Sequence, residues 1–113
     1  MFRGPRRAAF ALVTGALAAV ACATPFVRPS SADVVALRPI DPGVQLADLE
    51  RGRSLYLAKC SSCHQLHEPS LFAPEAWPDK VHAMQREGRV HLSDPEALDM
   101  IRYLRAASLV ARR

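Results

Sequence analysis

The chain has 113 residues, of which 15 are lysine or arginine and 11 are aspartate or glutamate. Three of the basic residues lie in the first 21 positions, so 12 basic and 11 acidic residues remain beyond them. This nearly neutral remainder gives no reason to expect nucleic-acid binding, and the length allows one domain at most.

The N-terminal segment has the pattern of a secretory signal peptide. Arg3, Arg6 and Arg7 precede an uncharged apolar run over residues 8–21. These 14 residues are too few for a stable transmembrane helix, which needs about 20, but they match the hydrophobic region of a signal peptide. Residues 1–21 are therefore predicted to direct export.

The residues around Cys22 match two signal-peptide cleavage patterns. The run LAAVAC resembles the recognition sequence of bacterial lipoproteins, in which the cysteine is lipidated and becomes the new N-terminus. The leucine usual three residues earlier is here Ala19, and the small residues Ala21 and Ala23 also fit an ordinary signal-peptidase site. We favour lipidation, because an unpaired thiol in an oxidising compartment is a liability. Cys22 is thus predicted as a membrane tether, with ordinary cleavage after Ala23 as the alternative.

The next segment has the composition of a linker. Pro25, Pro29, Pro39 and Pro42 are spread over residues 22–43 with serines between them, and no helical or strand period is visible. The folded domain is then expected over residues 44–113. A domain of about 70 residues has a marginal core, and it usually needs a disulfide, a metal or a cofactor.

Three helical segments and no strand are predicted in this domain, which makes its fold class all-α. The segments cover residues 46–60, 74–88 and 92–110. Gly52 is a poor helix former in the middle of the first segment, so we expect it to permit a close crossing with another helix. Gly88 suits the end of the second segment, and Ser93 with Glu96 forms a capping box at the start of the third.

The run KCSSCHQLH carries the most specific chemical signal in the chain. A thioredoxin-like dithiol belongs between a strand and a helix, and no strand is predicted here. A zinc site needs four ligands, whereas His82 and His91 are nine residues apart in different segments. Cys60, Cys63 and His64 instead match the C-x-x-C-H signature of covalent c-type haem attachment. At the start of a helix, residues three apart lie on one side, so both thiols can reach the porphyrin vinyl groups while the histidine ligates the iron.

Together with its flanking helices, the motif resembles a small class I bacterial cytochrome c. The runs GRSLYLAKCSSCH and LSDPEALDMIRYL, with a methionine segment between them, carry this resemblance, which extends over residues 48–106. It implies a small cytochrome c fold, in which three main helices surround one covalently bound haem. It also implies that Gly52 and Tyr56 lie near Met100 and Tyr103, where two helices cross. Haem attachment of this kind takes place outside the cytoplasm, in agreement with the export signal.

The second axial ligand of the iron is expected on the segment before the third helix. By the resemblance, Met84 lies about where the axial methionine of the family falls, and Trp77 shares its helix face as a haem-pocket residue. The Met-Pro pair usual in the family is absent, since a glutamine follows the methionine. His82 and His91 therefore remain alternative ligands, and Met100 is a less favoured one.

Neighbouring residues have expected supporting roles. A backbone carbonyl of Pro69 or Pro74 is expected to accept the proton of the second His64 ring nitrogen, which would orient the imidazole. Lys80 and Arg86 are candidates to reach the haem propionates, together with Trp77.

Electron transfer is the function that these features predict. With both axial positions filled, no substrate reaches the iron, and one-electron exchange at the haem edge is left. No catalytic dyad or phosphate-binding glycine loop is visible. We therefore expect a periplasmic electron carrier, not an enzyme, with periplasmic or membrane redox proteins as partners. The alternatives are a five-coordinate haem protein that binds a diatomic gas, and a haem subunit of a periplasmic oxidoreductase complex.

Overall fold

The computed structural model describes residues 26–60 and 66–113, which consist of helices joined by turns and short extended segments. These two ranges contain no strand, and none of their helices has the length and apolar character that crossing a bilayer requires. Their elements are α1 (Ser31–Leu37), α2 (Leu46–Cys60), two single-turn 3₁₀ helices (Pro69–Leu71 and Pro74–Ala76), α3 (Trp77–Arg86) and α4 (Asp94–Ala111). The predicted all-α class is confirmed.

The three predicted helices form where their sequence signals lie. Helix α2 covers the whole of its predicted segment. Helix α4 begins with the predicted capping box, in which the Glu96 backbone N–H donates to Ser93 Oγ at 3.3 Å and the Ser93 N–H donates to Glu96 Oε1 at 2.9 Å. Helix α3 is shorter than predicted because Pro74–Ala76 forms a separate 3₁₀ turn. It ends before Gly88, whose φ of 70° is a left-handed conformation that favours glycine.

The expectation of an irregular linker over residues 22–43 is wrong for the described part of that segment. Ser31–Leu37 forms α1, which buries its apolar face in an aliphatic cluster with α2 and α4. The members of this cluster are Val34, Leu37, Val44, Leu49 and Ala106. The prolines that suggested a linker do not interrupt the helix, because Pro29 precedes it and Pro39 follows it.

Helices α2 and α4 cross at Gly52, as expected from the sequence. A Cβ atom on Gly52 would overlap the carbonyl oxygen of Asp99 and would lie 2.6 Å from the carbonyl carbon and 2.8 Å from Tyr103 Cβ. Beyond the crossing, the rings of Tyr56 and Tyr103 are 6.2 Å apart, and Met100 is fully buried beside them. The expected proximity of these four residues is confirmed.

The larger core cluster is rich in aromatic side chains. Phe26 and Trp77 pack edge-to-face against Tyr56, with ring centroids at 5.8 Å and 6.3 Å. The other buried members are Val81, Ala97, Met100, Ile101, Tyr103 and Leu104. This aromatic cluster fills the space between α2, α3 and α4, and it includes the first described residue of the chain.

An ion-pair network ties α4 to α2 and to the turn before α2. Arg102 Nε lies 2.5 Å from Asp41 Oδ2, and Arg51 Nε lies 2.9 Å from Asp99 Oδ2. Asp48 is shared between the two arginines. Hydrogen bonding to Asp41 raises the pKa of Arg102, and hydrogen bonding to Asp99 raises the pKa of Arg51.

Candidate haem-attachment site

The predicted attachment motif begins at the last residue of α2. Cys60 is half-buried and packs against the aromatic cluster. Cys60 ends a helix, as the predicted segment 46–60 has it, and so does not lie at the start of a helix as the attachment geometry assumed. Cys63 and His64 lie outside the described residues, and so does Cys22, the predicted lipidation site. The roles of these three residues remain predictions.

Two buried aromatic side chains hold the chain that leaves the motif. The Tyr56 hydroxyl donates to the His67 carbonyl at 2.6 Å, and the Trp77 indole N–H donates to the Pro69 carbonyl at 3.0 Å. Buried tyrosine and tryptophan need such acceptors, because an unsatisfied polar group away from water costs about 1–3 kcal/mol. The same cluster thus contacts Cys60 at the start of the motif and binds the two carbonyls after its end.

The two proline carbonyls predicted to orient His64 both accept a hydrogen bond from Trp77. The Pro69 carbonyl accepts from its indole, and the Pro74 carbonyl accepts from its backbone N–H. A carbonyl oxygen has two lone pairs. The Pro69 carbonyl also accepts the Phe72 backbone N–H at 3.5 Å and is fully used, whereas the Pro74 carbonyl retains capacity for one more donor. The predicted bond to His64 lies outside the described residues.

Burial keeps both tyrosines of the aromatic cluster protonated. Loss of solvation raises the pKa of Tyr103 to about 12. It also raises the pKa of Tyr56 far above its ordinary value, with a smaller contribution from the nearby Cys60. The Tyr56 hydroxyl is therefore a donor at every physiological pH, and its bond to the His67 carbonyl does not depend on pH.

Trp77 lies at the centre of a row of rings that extends to the surface. Its ring centroid is 5.3 Å from that of Phe72, with the two planes at 87°. His67 packs edge-to-face against Phe72 at 5.7 Å, and Lys80 Nζ lies 3.7 Å from the Phe72 centroid in a cation–π contact. Lys80, predicted to reach a propionate, thus covers Phe72 in this structure.

The predicted distal ligands differ in their surroundings. Met84 is half-buried and packs against the aromatic cluster, as Cys60 does. Met100 is fully buried inside that cluster. His82 and His91 are exposed. Of these four candidates, Met84 is therefore the one that shares the environment of the first cysteine and still has part of its surface uncovered.

A lysine next to Cys60 ties the segment after Met84 to the end of α2. Lys59 Nζ donates to the His91 carbonyl at 2.8 Å and lies 3.5 Å from Glu96 Oε2. The sequence analysis missed this contact, although it placed a carboxylate in the capping box of α4. The helix end that carries the first cysteine and the segment that follows the candidate methionine are held together by this one side chain.

The residue types at the candidate site fit haem. In the described part of the chain, eight partly buried hydrophobic side chains pack against the aromatic cluster, and Cys60, Leu66, Phe72, Met84 and Leu92 are among them. A porphyrin is a flat apolar group that apolar side chains of this kind would contact. A thiol and a thioether are also donors that c-type haem uses, for attachment and for axial ligation.

No family model, curated protein or solved structure matches the chain. The likeness to class I cytochromes c therefore rests on the motifs of the sequence, above all on C-x-x-C-H.

Proposed function

We propose that this chain is an exported, single-haem c-type cytochrome that carries one electron between redox partners. The observation that carries the proposal is the C-x-x-C-H run, whose first cysteine is half-buried against the aromatic cluster at the end of α2. The signal-peptide pattern of residues 1–21 supports it independently, because such haem attachment takes place outside the cytoplasm. We therefore propose a periplasmic location, with periplasmic or membrane redox proteins as partners.

Each residue of the proposed site has a separate task. The thiols of Cys60 and Cys63 would each add across one vinyl group, sulfur to one carbon and hydrogen to the other, with no leaving group. His64 and Met84 would be the axial ligands. When bound, haem supplies an iron that gains and loses one electron. A thioether ligand favours the reduced state, so the proposed site has a higher potential than one with two histidines.

The chain itself keeps the proposed site dry and rigid. Tyr56 and Trp77 exclude water from the side of the core, and their hydrogen bonds hold the carbonyls of His67 and Pro69. Lys59 donates to the His91 carbonyl and so holds the segment that follows Met84. Groups that are fixed before the charge of the site changes have little to reorganise afterwards, and this favours rapid electron exchange.

The visible and near-infrared spectrum of the mature protein in both oxidation states tests the proposal. The protein is produced in a bacterial host that matures c-type cytochromes, as wild type, Met84→Ala and His82→Ala. We expect a sulfur-to-iron charge-transfer band in the oxidised wild type and its loss in Met84→Ala. His82→Ala is the matched control, because this exposed residue lies on the same helix two positions away, and it should keep the band.

Other spectra would have different meanings. A low-spin spectrum without the band, altered by His82→Ala or His91→Ala, would move the distal ligand to a histidine and leave the electron carrier in place. A high-spin wild type that binds carbon monoxide readily when reduced would contradict the carrier and favour a gas-binding protein. A purified chain without haem absorption would contradict haem attachment.

A further inference from the structure

The folded domain starts close to the predicted lipidation site. Phe26 is 4% exposed and packs edge-to-face against Tyr56. Its carbonyl accepts two hydrogen bonds from the Arg53 guanidinium, at 3.2 Å from Nε and 2.9 Å from Nη2. Phe26 is thus fixed in the core, and only three residues separate it from Cys22. The tether to a lipidated Cys22 is therefore much shorter than the predicted linker of residues 22–43.

Such a short connection limits the distance between domain and membrane. The four residue steps from Cys22 to Phe26 span at most about 14 Å when fully extended. The polar layer on each side of a bilayer is about 5–8 Å thick. A lipid-anchored Cys22 would therefore bring the surface around Phe26 to the lipid headgroups.

The surface near Phe26 exposes apolar side chains. Val27 is 87% exposed and Leu71 is 63% exposed, and these are the two most exposed large apolar side chains in the part of the chain that the structure describes. Isolated exposed apolar residues are common, but Val27 follows the predicted lipid anchor by only five positions in the sequence.

Contacts of neighbouring residues connect the segment of Val27 with the turn that carries Leu71. Val27 and Arg28 line a cavity of about 480 Å³ together with Ser70, the neighbour of Leu71 in the chain. Arg112 Nη1 donates to the Ser70 carbonyl at 3.3 Å, so the C-terminal end of α4 belongs to the same region. We define the anchor-proximal face by its exposed apolar and basic residues, which are Val27, Arg28, Leu71, Arg112 and Arg113.

The charge of this face suits anionic lipid. It carries three arginines, and two carboxylates line the adjoining cavity, those of Asp33 and Glu68. The Asp33 carboxylate is already engaged with Ser30, from which it accepts the backbone N–H at 2.8 Å and the hydroxyl at 3.2 Å. Asp33 keeps its negative charge in these bonds, so three arginines against two carboxylates leave one net positive charge, which favours phosphate groups over a neutral surface.

Cys60 lies towards the other end of α4. Its neighbour Lys59 pairs with Glu96 in the first turn of that helix, whereas Arg112 directly follows the last turn. Helix α4 has 18 residues and is therefore about 27 Å long. Arg112, at one end of the anchor-proximal face, is separated from Cys60 by most of this length, whereas Phe26 packs against Tyr56, one turn of α2 before Cys60.

We propose that the anchor-proximal face lies on an anionic phospholipid bilayer. This proposal rests on the export included in the proposed function and on the lipidation of Cys22 that the sequence predicts, and it adds the orientation of the domain and the lipid as a partner. Val27 and Leu71 enter the interfacial layer, and the arginines contact lipid phosphates.

Photo-crosslinking to lipid measures this orientation. The full chain, matured and lipidated in a bacterial host, is reconstituted into vesicles of phosphatidylethanolamine and phosphatidylglycerol. A benzophenone amino acid replaces either Leu71 or, as the matched control near the other end of α4, Leu98, which is 46% exposed. We expect several-fold more lipid adduct from position 71 than from position 98. Equal yields, more adduct from position 98, or recovery of the chain in the soluble fraction would each overturn the proposal.

Charge variants test the same face without disturbing the core. Each arginine near an anionic bilayer contributes about fivefold to binding. Arg112→Gln combined with Arg113→Gln should therefore weaken the lipid contact by up to about 25-fold and lower the adduct yield from position 71 accordingly. Exchange of phosphatidylglycerol for phosphatidylcholine should also lower it. Unchanged yields in both experiments would contradict the proposed lipid contact.

The crosslinking result does not depend on haem. The absorption spectrum of the same vesicles reports haem attachment separately. Vesicles that lack haem absorption but still give adducts from position 71 would contradict the proposed function and support the proposed orientation. Vesicles that show haem absorption but no preference for position 71 would support the proposed function and contradict the proposed orientation.

Discussion

Replacing Gly52 by alanine tests the crossing of α2 and α4 that positions Cys60. The new Cβ would overlap the Asp99 carbonyl oxygen and would lie 2.6 Å from its carbon and 2.8 Å from Tyr103 Cβ. Carbon atoms in contact are ordinarily about 3.5–4.0 Å apart, so the helices would have to separate by roughly 1 Å. The Asp99 atoms belong to the backbone, and no side-chain rotation relieves the overlap.

Two opposing terms set the size of the effect. Alanine is favoured over glycine within a helix by about 1 kcal/mol. Overpacking a core costs about 1–3 kcal/mol and occasionally more, and the upper end applies here because the new atom meets rigid backbone. We expect Gly52→Ala to lower the free energy of unfolding by about 2 kcal/mol. For a domain of this size, that corresponds to a fall in Tm of roughly 10 °C.

Urea unfolding followed by far-ultraviolet circular dichroism measures this loss in the mature protein. Gly43→Ala is the matched control, because a Cβ at Gly43 would meet only Asp41 Oδ1, at the ordinary distance of 3.9 Å. That variant should stay within about 0.5 kcal/mol of the wild type or become slightly more stable. A Gly52→Ala protein as stable as the wild type would refute the close crossing.

Tyr56→Phe keeps the ring but removes the donor to the His67 carbonyl. We therefore expect the free energy of unfolding to fall by about 1–2 kcal/mol. Unchanged stability in the same urea assay would contradict that hydrogen bond. Hydrogen bonds from Ser93, with a smaller contribution from Lys59, lower the pKa of Glu96. A carboxylate of lowered pKa stabilises the fold above its ordinary pKa, and this stabilisation disappears as the pH falls through the lowered value. Glu96→Gln should therefore flatten the fall of Tm in acid, and a pH profile that matches the wild type would contradict this role.

The helices of the domain were predictable because their signals are local. Ser93 with Glu96 caps α4 within one turn, and Gly88 ends α3 because its backbone conformation favours glycine. Gly52 predicted the crossing for a similar reason. A glycine in the middle of a helix is unfavourable, so its presence there indicates that another helix packs against its backbone. The helix ends depend on residues that are close in the sequence, and the crossing depends on the missing Cβ atom of Gly52.

Helix α1 also has a local signal at its start, where Asp33 accepts the Ser30 N–H at 2.8 Å, but the prolines around it favoured a linker instead. It has seven residues, and isolated helices shorter than about 12 residues are unstable in water. It forms because Val34 and Leu37 are buried in the cluster that includes Ala106 of α4. Its two flanking prolines, which suggested a linker, are compatible with a short helix between them.

The residue types of the candidate site could be predicted from the sequence, but the hydrogen bonds that hold the neighbouring segments could not. The C-x-x-C-H motif and Met84 can be read from the sequence, because they are a fixed spacing and a residue type. The bonds from Tyr56 to the His67 carbonyl and from Lys59 to the His91 carbonyl join residues 11 and 32 positions apart. Such contacts depend on how the helices pack, and no periodic pattern reveals them.

Covalent haem attachment is the central claim, and the intact mass of the denatured protein tests it most directly. The wild type and a Cys60→Ser, Cys63→Ser double variant are produced beside a known c-type cytochrome in the same maturation-competent host. We predict that the wild-type chain retains the mass of one haem after denaturation and that the double variant does not. A wild-type chain that folds in this host but retains no haem, while the reference cytochrome matures, would contradict the account.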